Sequence, residues 1–560
     1  MLPLLPPRFD VGPFSLERVL GRGGSGEVWA GVHRAQQVPV AVKVLTAARA
    51  RDDRYRRAFR DEVRAVARLD HLGVVVVLDY GAVDAAAAAA SGGRLLEGCP
   101  YLAMELCSGG TLSGVGGQWP WARVRDALVA ILDALAHAHA RGVIHRDIKP
   151  SNVLIASAAD ARPGTKLTDF GISTAGDVAG DVAGDAGQIC GTPPYMAPEQ
   201  FSSRWGEHGP ATDLYSLGCL AWELVSGDPP FAMAGGPMAA LRAAHLLVAP
   251  PKLTPVCAVP AGFEAWLRRL LEKHPAQRFA FAADALYALR ALGDPSDAEA
   301  VRAVAPARRA RTNQTWTDGE DGRTPSLVPV APMAAAPAVP APLPASWVRP
   351  SPMPRSLRLI GAGLGLWGLR RTPMVDRVPE RDDLWALLGE VRATSRARAV
   401  VLGGAAGNGK SRLAEWLTER AVEVGAARVV SAMHSPSGGP SEGIVGLVAR
   451  LLRLTGADAA AARAGLRRVA PALEADAEAL VELVANRGSA SSRDRHALAG
   501  RLLAALAHDR PVLVWIDDAQ WGADAIEFAA YLLRSDIPAA IVLTVQDEAL
   551  AARPAERELI

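Results

Sequence analysis

Two kinds of hydrophobic pattern alternate between Phe14 and about Leu292. Short strand-like stretches predict strands at Phe14 to Leu20, Val28 to Val32 and Val38 to Leu45. Longer stretches with apolar positions three and four apart predict helices. One is Ala58 to Leu69, with Phe59, Val63, Val66 and Leu69 on one stripe. Another is about Ala122 to Arg141, with Val124, Leu128, Ile131, Leu132 and Leu135 on its face and Gly142 at its C-terminal stop. An alanine run, Ala85 to Ala90, interrupts this order. From about Pro295 to Thr372 the pattern collapses into Arg/Ala-rich and then Pro/Ala-rich sequence running through Pro354, which predicts a semi-extended linker because it offers little apolar surface to offset its ordering entropy. Regular pattern resumes at Met374. The expected organisation is a tail at 1–13, a first folded unit at 14–292, a linker at 293–373 and a second unit at 374–560.

Composition narrows the classes without choosing among them. A chain of 560 residues is too long for one core. Its apolar fraction of 50% and charged fraction of 21% are those of a soluble globular protein. A formal net charge of +2 gives no electrostatic reason to expect nucleic acid or an acidic membrane as the main partner. Cys99, Cys107, Cys190, Cys219 and Cys257 are scattered and never form a C-x-x-C pair, so they read as reduced thiols in a cytoplasmic protein. The N-terminus lacks the pattern of a secretory signal, and the apolar stretch Leu359 to Leu369 is too short and too glycine-rich to span a bilayer, so no membrane span is expected.

The chemistry starts at Leu20, where L-G-R-G-G-S-G-E-V joins two predicted strands. Glycines at Gly21, Gly23 and Gly26 let a hairpin backbone approach phosphate oxygens, although a dinucleotide-binding turn or a plain turn fits as well. Lys43 lies in the apolar strand V-P-V-A-V-K-V-L, where it is either an edge residue with a solvated tip or the partner of a Glu across a cleft. Glu62, beside the apolar stripe of the next helix, can pair with it or face solvent. The helix ending near Gly142 then delivers the chain into His145-Arg146-Asp147-Ile148-Lys149-Pro150-Ser151-Asn152, followed by Asp169-Phe170-Gly171.

These two motifs resemble the catalytic loop and metal-binding motif of eukaryotic-type protein kinases, here of the bacterial serine/threonine kind. The resemblance implies that Asp147 orients a substrate hydroxyl and accepts its proton, that Lys149 stabilises charge on the γ-phosphate, and that Asn152 and Asp169 hold magnesium, with manganese as an alternative. It implies that Lys43, paired with Glu62, holds the α- and β-phosphates of ATP. The remaining ATP contacts it implies are Leu20, Gly21, Arg22, Gly23, Gly24, Ser25, Gly26, Glu27, Val28 and Ala41, with Met104 as gatekeeper and the backbone of Glu105 and Cys107 against adenine. Further matches are G-T-P-P-Y-M-A-P-E-Q from Gly191, D-L-Y-S-L-G from Asp213, and Arg278 as partner of Glu199, with Thr192 lining the substrate pocket. Arg146 beside Asp147 marks a subtype whose activation segment is clamped through an anionic group. Between Gly171 and Thr192, however, the only hydroxyls are Ser173 and Thr174, which argues against the usual phosphorylation further along. Asp177, Asp181 and Asp185 recur in G-D-V-A-G-D-V-A-G-D-A-G, either supplying that charge or forming a plain acidic loop.

In the second unit a strand-like run ends in Gly404 to Ser411, which fits G-x-x-x-x-G-K-S, with Gly407 inside it and Gly409-Lys410-Ser411 closing it. Backbone N–H groups and a helix N-terminus can cradle phosphates there, with Lys410 reaching the β- and γ-phosphates and Ser411 a magnesium ion. Pro511 to Trp521 reads as a buried strand ending in Asp517-Asp518. The pair resembles signalling ATPases of the AAA or STAND class, in which Asp517 would bear on magnesium and Asp518 would stand where a water-activating acid is found. Gln546 follows a later strand where relatives commonly show Arg. The short distance from Asp517 to Ile560 leads us to expect an incomplete module that binds nucleotide more surely than it hydrolyses it.

The expected fold class is therefore an α+β two-lobed protein kinase fold, a linker, and a C-terminally incomplete α/β P-loop NTPase of the RecA/AAA type. The expected function is transfer of the ATP γ-phosphate to protein Ser/Thr hydroxyls in bacterial signal transduction. The second module would act as a nucleotide-binding regulator and a possible site of self-association. The alternative is a kinase-like scaffold, or an NTPase-centred signalling protein in which the kinase domain is regulatory.

Overall fold

In the computed structural model, which describes residues 9–23, 26–45, 52–170, 192–202, 208–232, 238–296, 339–349, 359–372, 374–439, 442–454, 458–485 and 491–560, the alternating N-terminal segments pair into one antiparallel sheet. Its strands are β1 (Phe9–Val11), β2 (Phe14–Gly23), β3 (Gly26–His33), β4 (Pro39–Val44), β5 (Val77–Ala82) and β6 (Pro100–Glu105), in the order β1-β2-β3-β4-β6-β5. Alternation buries Phe14, Leu16, Val40 and Val42, and the helix Asp53–Ala67 lays Phe59, Val63 and Val66 against this core. The alanine run Ala85–Ala90 is itself a short helix, capped by the Asp84 side chain on Ala87 N at 2.7 Å.

Helices build the rest of the first unit. Trp121–Ala140 buries Val124, Leu128, Ile131, Leu132 and Leu135 as its periodicity predicts, and Pro210–Ser226 is buried almost throughout, from Thr212 to Val225. The strands β7 (Val153–Ala156) and β8 (Gly164–Leu167) form a separate antiparallel pair that frames the catalytic loop. A fully buried fork joins Arg278 to Glu199, with Nη1–Oε1 at 2.7 Å and Nη2–Oε2 at 2.9 Å. The remaining Arg278 donors reach the carbonyls of Ala211, Glu272 and Lys273.

The second unit has a parallel sheet of β9 (Arg398–Leu402), β10 (Arg428–Met433), β11 (Val512–Asp517) and β12 (Ala539–Thr544), in the order β10-β11-β12-β9. Both faces are covered. Val512, Val514, Ile516, Ile541 and Leu543 pack against the helices Gly443–Leu452, Ser492–Leu506 and Ala523–Leu533. The alternate residues Leu513, Ala540 and Val542 pack against Val378–Thr394 and Lys410–Glu423. β9 lies at the sheet edge, next to β12.

Part of the expected linker is packed, and its two described pieces belong to different units: 359–372 goes with the first and 339–349 with the second. Proline-rich extended chain has no internal hydrogen bonds, so its carbonyls are open to outside donors. The carbonyls of Ala341, Pro344 and Trp347 accept from Arg392, Trp385 and Arg420 at 2.8, 3.0 and 2.9 Å. Arg381 stacks over both Trp347 and Trp416. The piece 359–372 is anchored on β5 by Leu366, which is 1% exposed. Composition read these residues as unpacked because a few anchors, not a periodic stripe, hold them. No helix among the described residues is long and apolar enough to cross a membrane.

Replacing Arg278 with Ala strands the Glu199 carboxylate in a fully buried site. Chemical denaturation should show the first unit destabilised by about 3–5 kcal/mol.

Candidate active site

The register of the N-terminal sheet aims one lysine at the interior. Lys43 on β4 sits between Val28 on β3 and Leu102 on β6, and it is only 1% exposed. Its Nζ lies 2.9 Å from Asp169 Oδ1 and 3.3 Å from Glu62 Oε1. The edge-lysine and solvated-glutamate readings therefore give way to a buried ionic cluster. Burial opposes the charge on Lys43, but Asp169 and Glu62 outweigh it and hold the ammonium above its ordinary pKa. Burial likewise opposes ionisation of Asp169, yet Lys43 keeps its carboxyl below the usual range. For Glu62 burial wins over Lys43 and pushes the carboxyl up to about 8.

The catalytic loop is held from beneath by Asp213, a residue wholly buried in the Pro210–Ser226 helix. It accepts the backbone N–H groups of His145 and Arg146 at 2.9 and 2.7 Å and lies 2.7 Å from His139 Nε2. Burial opposes its charge, and His139 and His145 with these hydrogen bonds still lower its pKa. This support is needed because Arg146 has left-handed backbone, at φ 65°. The position of Asp213 in D-L-Y-S-L-G was visible in the sequence, but its role as a backbone acceptor was not. A carboxylate in an otherwise apolar helical run was the available signal.

Above this base, Asp147 Oδ1 accepts from Thr192 Oγ1 at 3.0 Å, and Asp147 Oδ2 lies 2.7 Å from Lys149 Nζ and 3.1 Å from Asn152 Nδ2. Lys149 Nζ also donates to Thr192 Oγ1 at 2.7 Å. One hydroxyl is thus held between a carboxylate and an ammonium.

Met104 faces Ala41 across the β4–β6 ladder, and both are buried. Glu105 N is committed to Val76 O at 3.0 Å, so the Glu105 backbone can offer an adenine only its carbonyl. The Glu105 side chain points away into a second buried cluster, where Oε1 receives Val76 N at 2.9 Å and Arg162 Nη1 at 3.0 Å, with Lys166 Nζ at 3.4 Å. Nothing in the spacing of Arg162 and Lys166 advertised this. Cys107 is a half-buried thiol whose pKa burial raises to about 12.

In the Gly-rich hairpin, Arg22 and Glu27 pair across the strands at 2.9 Å, and Leu20 is exposed. A Cβ on Gly21 or Gly23 would meet open space, whereas one on Gly26 would sit 2.3 Å from Val44 O. Gly26 is therefore required by packing against β4 as well as by any phosphate. Gly24, Ser25, Gly171, Ser173, Thr174 and the aspartates at 177, 181 and 185 lie outside the described residues.

In the second unit Gly404, Gly407 and Gly409 all have positive φ, at 148°, 79° and 82°, and Gly409 caps the helix Lys410–Glu423 on which Ser411 follows. Lys410 Nζ donates to the carbonyls of Gly404 and Ala405 at 2.9 and 2.8 Å. Asp517 Oδ1 accepts from Thr544 Oγ1 at 2.6 Å, and Asp518 Oδ1 receives the amides of Gln520 and Gln546 at 3.1 and 3.3 Å. The sequence reading missed Thr544 and Gln520, because their parts depend on the β11–β12 register.

Residues 14–287 match the model of the protein kinase domain, and residues 373–541 match that of the AAA ATPase domain. The serine/threonine-protein kinase Pkn1 of Myxococcus xanthus is 40% identical over 271 residues, covering 48% of this chain and 36% of that protein. The serine/threonine-protein kinase PknA of Mycobacterium tuberculosis is 36% identical over 296 residues, covering 51% of this chain and 64% of the relative. The chain thus spans less than two thirds of the length of either relative. Among solved structures, the PknI kinase domain of Mycobacterium tuberculosis aligns at 26% identity with a TM-score of 0.38, over 52% of this chain and 99% of that one. The chain joins a protein kinase domain to an AAA ATPase domain.

Proposed function

We propose that the chain is a protein serine/threonine kinase that transfers the γ-phosphate of ATP to protein Ser/Thr hydroxyls, with its AAA unit as a nucleotide-binding regulator. The observation that carries this reading is the hydroxyl of Thr192 between Asp147 Oδ1 and Lys149 Nζ. A substrate serine or threonine hydroxyl entering beside it would meet the same pair, a carboxylate to take its proton and an ammonium to balance charge on the transferred group.

Lys43, fixed by Glu62 and Asp169, supplies a cation for the α- and β-phosphates. The hinge carbonyl of Glu105 and N–H of Cys107 orient adenine. Asn152 and Asp169 offer oxygen donors, which suit a hard divalent cation such as magnesium, whose chemistry here is neutralisation of phosphate charge. The low pKa of Asp169 keeps it ionised for that task. In the AAA unit, Gly404 to Ser411 with Asp517 form the corresponding nucleotide site, and Gln520 and Gln546 orient Asp518.

A radiolabel transfer assay on a generic protein substrate tests the reading. Asp147→Ala should lower transfer by about 10²–10⁴, and equal turnover by the wild type and this variant would sink it. The raised pKa of Glu62 gives a second test. The folded state holds this proton more tightly than the unfolded state, so the group's stabilising contribution is full below its ordinary pKa of 4.5 and is lost as pH rises through about 8. Thermal unfolding of the nucleotide-free chain should show this decline across that window, and Glu62→Gln should flatten it.

A further inference from the structure

Residues 359–372 fall between the two family matches, which cover 14–287 and 373–541. They nevertheless make a continuous set of contacts that runs from the end of β3 and the β3–β4 turn to the edge strand β5 of the kinase sheet. Ile360 O lies 2.9 Å from His33 Nε2, and Ile360 N donates to Gln36 Oε1 at 2.7 Å. Gly363 N donates to Asp79 Oδ1 at 2.7 Å, while Asp79 Oδ2 accepts the Tyr101 hydroxyl at 3.0 Å. Leu366 enters the core from a short turn at Leu364–Leu366. Gly365 passes so close to β5 that a Cβ there would lie 1.8 Å from Tyr80 O. Arg370 Nη2 closes the set on Val77 O at 2.5 Å. The outward residues Leu364 and Trp367 are 80% and 89% exposed, so the segment has a defined inner and outer face.

The strand it grips is the one that sets the ATP site. Val77, which holds Arg370, pairs with Met104 across the ladder, and the neighbouring Val76 exchanges hydrogen bonds with both the backbone and side chain of Glu105. Tyr80, against Gly365, also faces Phe59 of the helix that carries Glu62, at 6.3 Å between rings.

We propose that residues 359–372 are a positioning clamp for the kinase ATP site. By gripping β5 they hold the hinge residues Met104 and Glu105, and the Glu62 helix, in the arrangement that receives ATP. This rests on the kinase reading above and extends the working kinase unit beyond its family match. The inward residues of the clamp act through β5 rather than on the nucleotide itself.

The test uses the full chain with Lys410→Ala, so that a fluorescent ATP analogue reports the kinase site alone. Gly365→Val should expose the amides of 359–372 to hydrogen exchange and weaken analogue binding by about fivefold or more, the low end of couplings between sites. KM for ATP should rise with it, while kcat changes less. An excess of a peptide spanning 359–372 should restore binding. Arg370→Ala should shift affinity in the same direction by less, and Trp367→Ala should leave it unchanged. The proposal is overturned if 359–372 in the parent exchanges as fast as the free peptide, or if Gly365→Val releases the segment without changing ATP affinity or KM. Should Gly365→Val not fold, unchanged ATP affinity in Arg370→Ala overturns it. Absent phosphotransfer with an intact clamp effect on binding would count against the kinase reading alone; intact phosphotransfer without that effect would count against the clamp alone.

Discussion

The charge of Lys43 is the constraint around which the first unit is organised. An ammonium removed from water costs several kcal/mol unless opposite charges meet it at close range. Asp169, from the segment after β8, supplies that charge, and the Glu62 carboxyl from the helix Asp53–Ala67 adds a second oxygen within hydrogen-bond distance. Each must be delivered to within hydrogen-bond distance, so helix, sheet and catalytic region cannot be placed independently. The same cluster that holds the fold together presents a fixed cation and a fixed carboxylate, which is what an incoming nucleotide and its metal require.

Similar economy recurs at the other buried charges. Asp213 binds the backbone of His145 and Arg146 and stabilises a left-handed turn that an isolated loop would avoid. Arg278 and Glu199 fix the segment beyond Thr192 from below. Glu105 gives its backbone to the hinge and its side chain to Arg162 and Lys166. In each case one residue satisfies several groups that burial would otherwise leave unpaired, and the cost of leaving them unpaired makes the arrangement specific.

The AAA unit uses a different device. Its sheet is apolar on both faces, so helices cover both, and the chemistry gathers where strands end. The P-loop leaves β9, and the acidic pair leaves β11 beside Thr544 at the end of β12. Three glycines of the loop after β9 have positive φ, a backbone conformation that residues with side chains rarely adopt.

Periodicity by itself determined the first strands, the helices Asp53–Ala67 and Trp121–Ala140, and the separation into two folded units, because burial of one face imposes periods of two and 3.6 on local sequence. The motifs around Asp147, Asp169 and Lys410 stand out for a different reason: several distinctive residue types fall at fixed short spacings there. What only the tertiary structure decided were the pairings between distant residues. Whether Glu62 faced solvent or Lys43, what Asp213 supports, how Arg162 and Lys166 meet Glu105, and why Gly26 cannot carry a side chain all depend on register and crossing. The segment 359–372 is the clearest case. It falls within the expected linker, because a chain anchored by one buried leucine, one close-fitting glycine and a few backbone hydrogen bonds leaves almost no periodic trace.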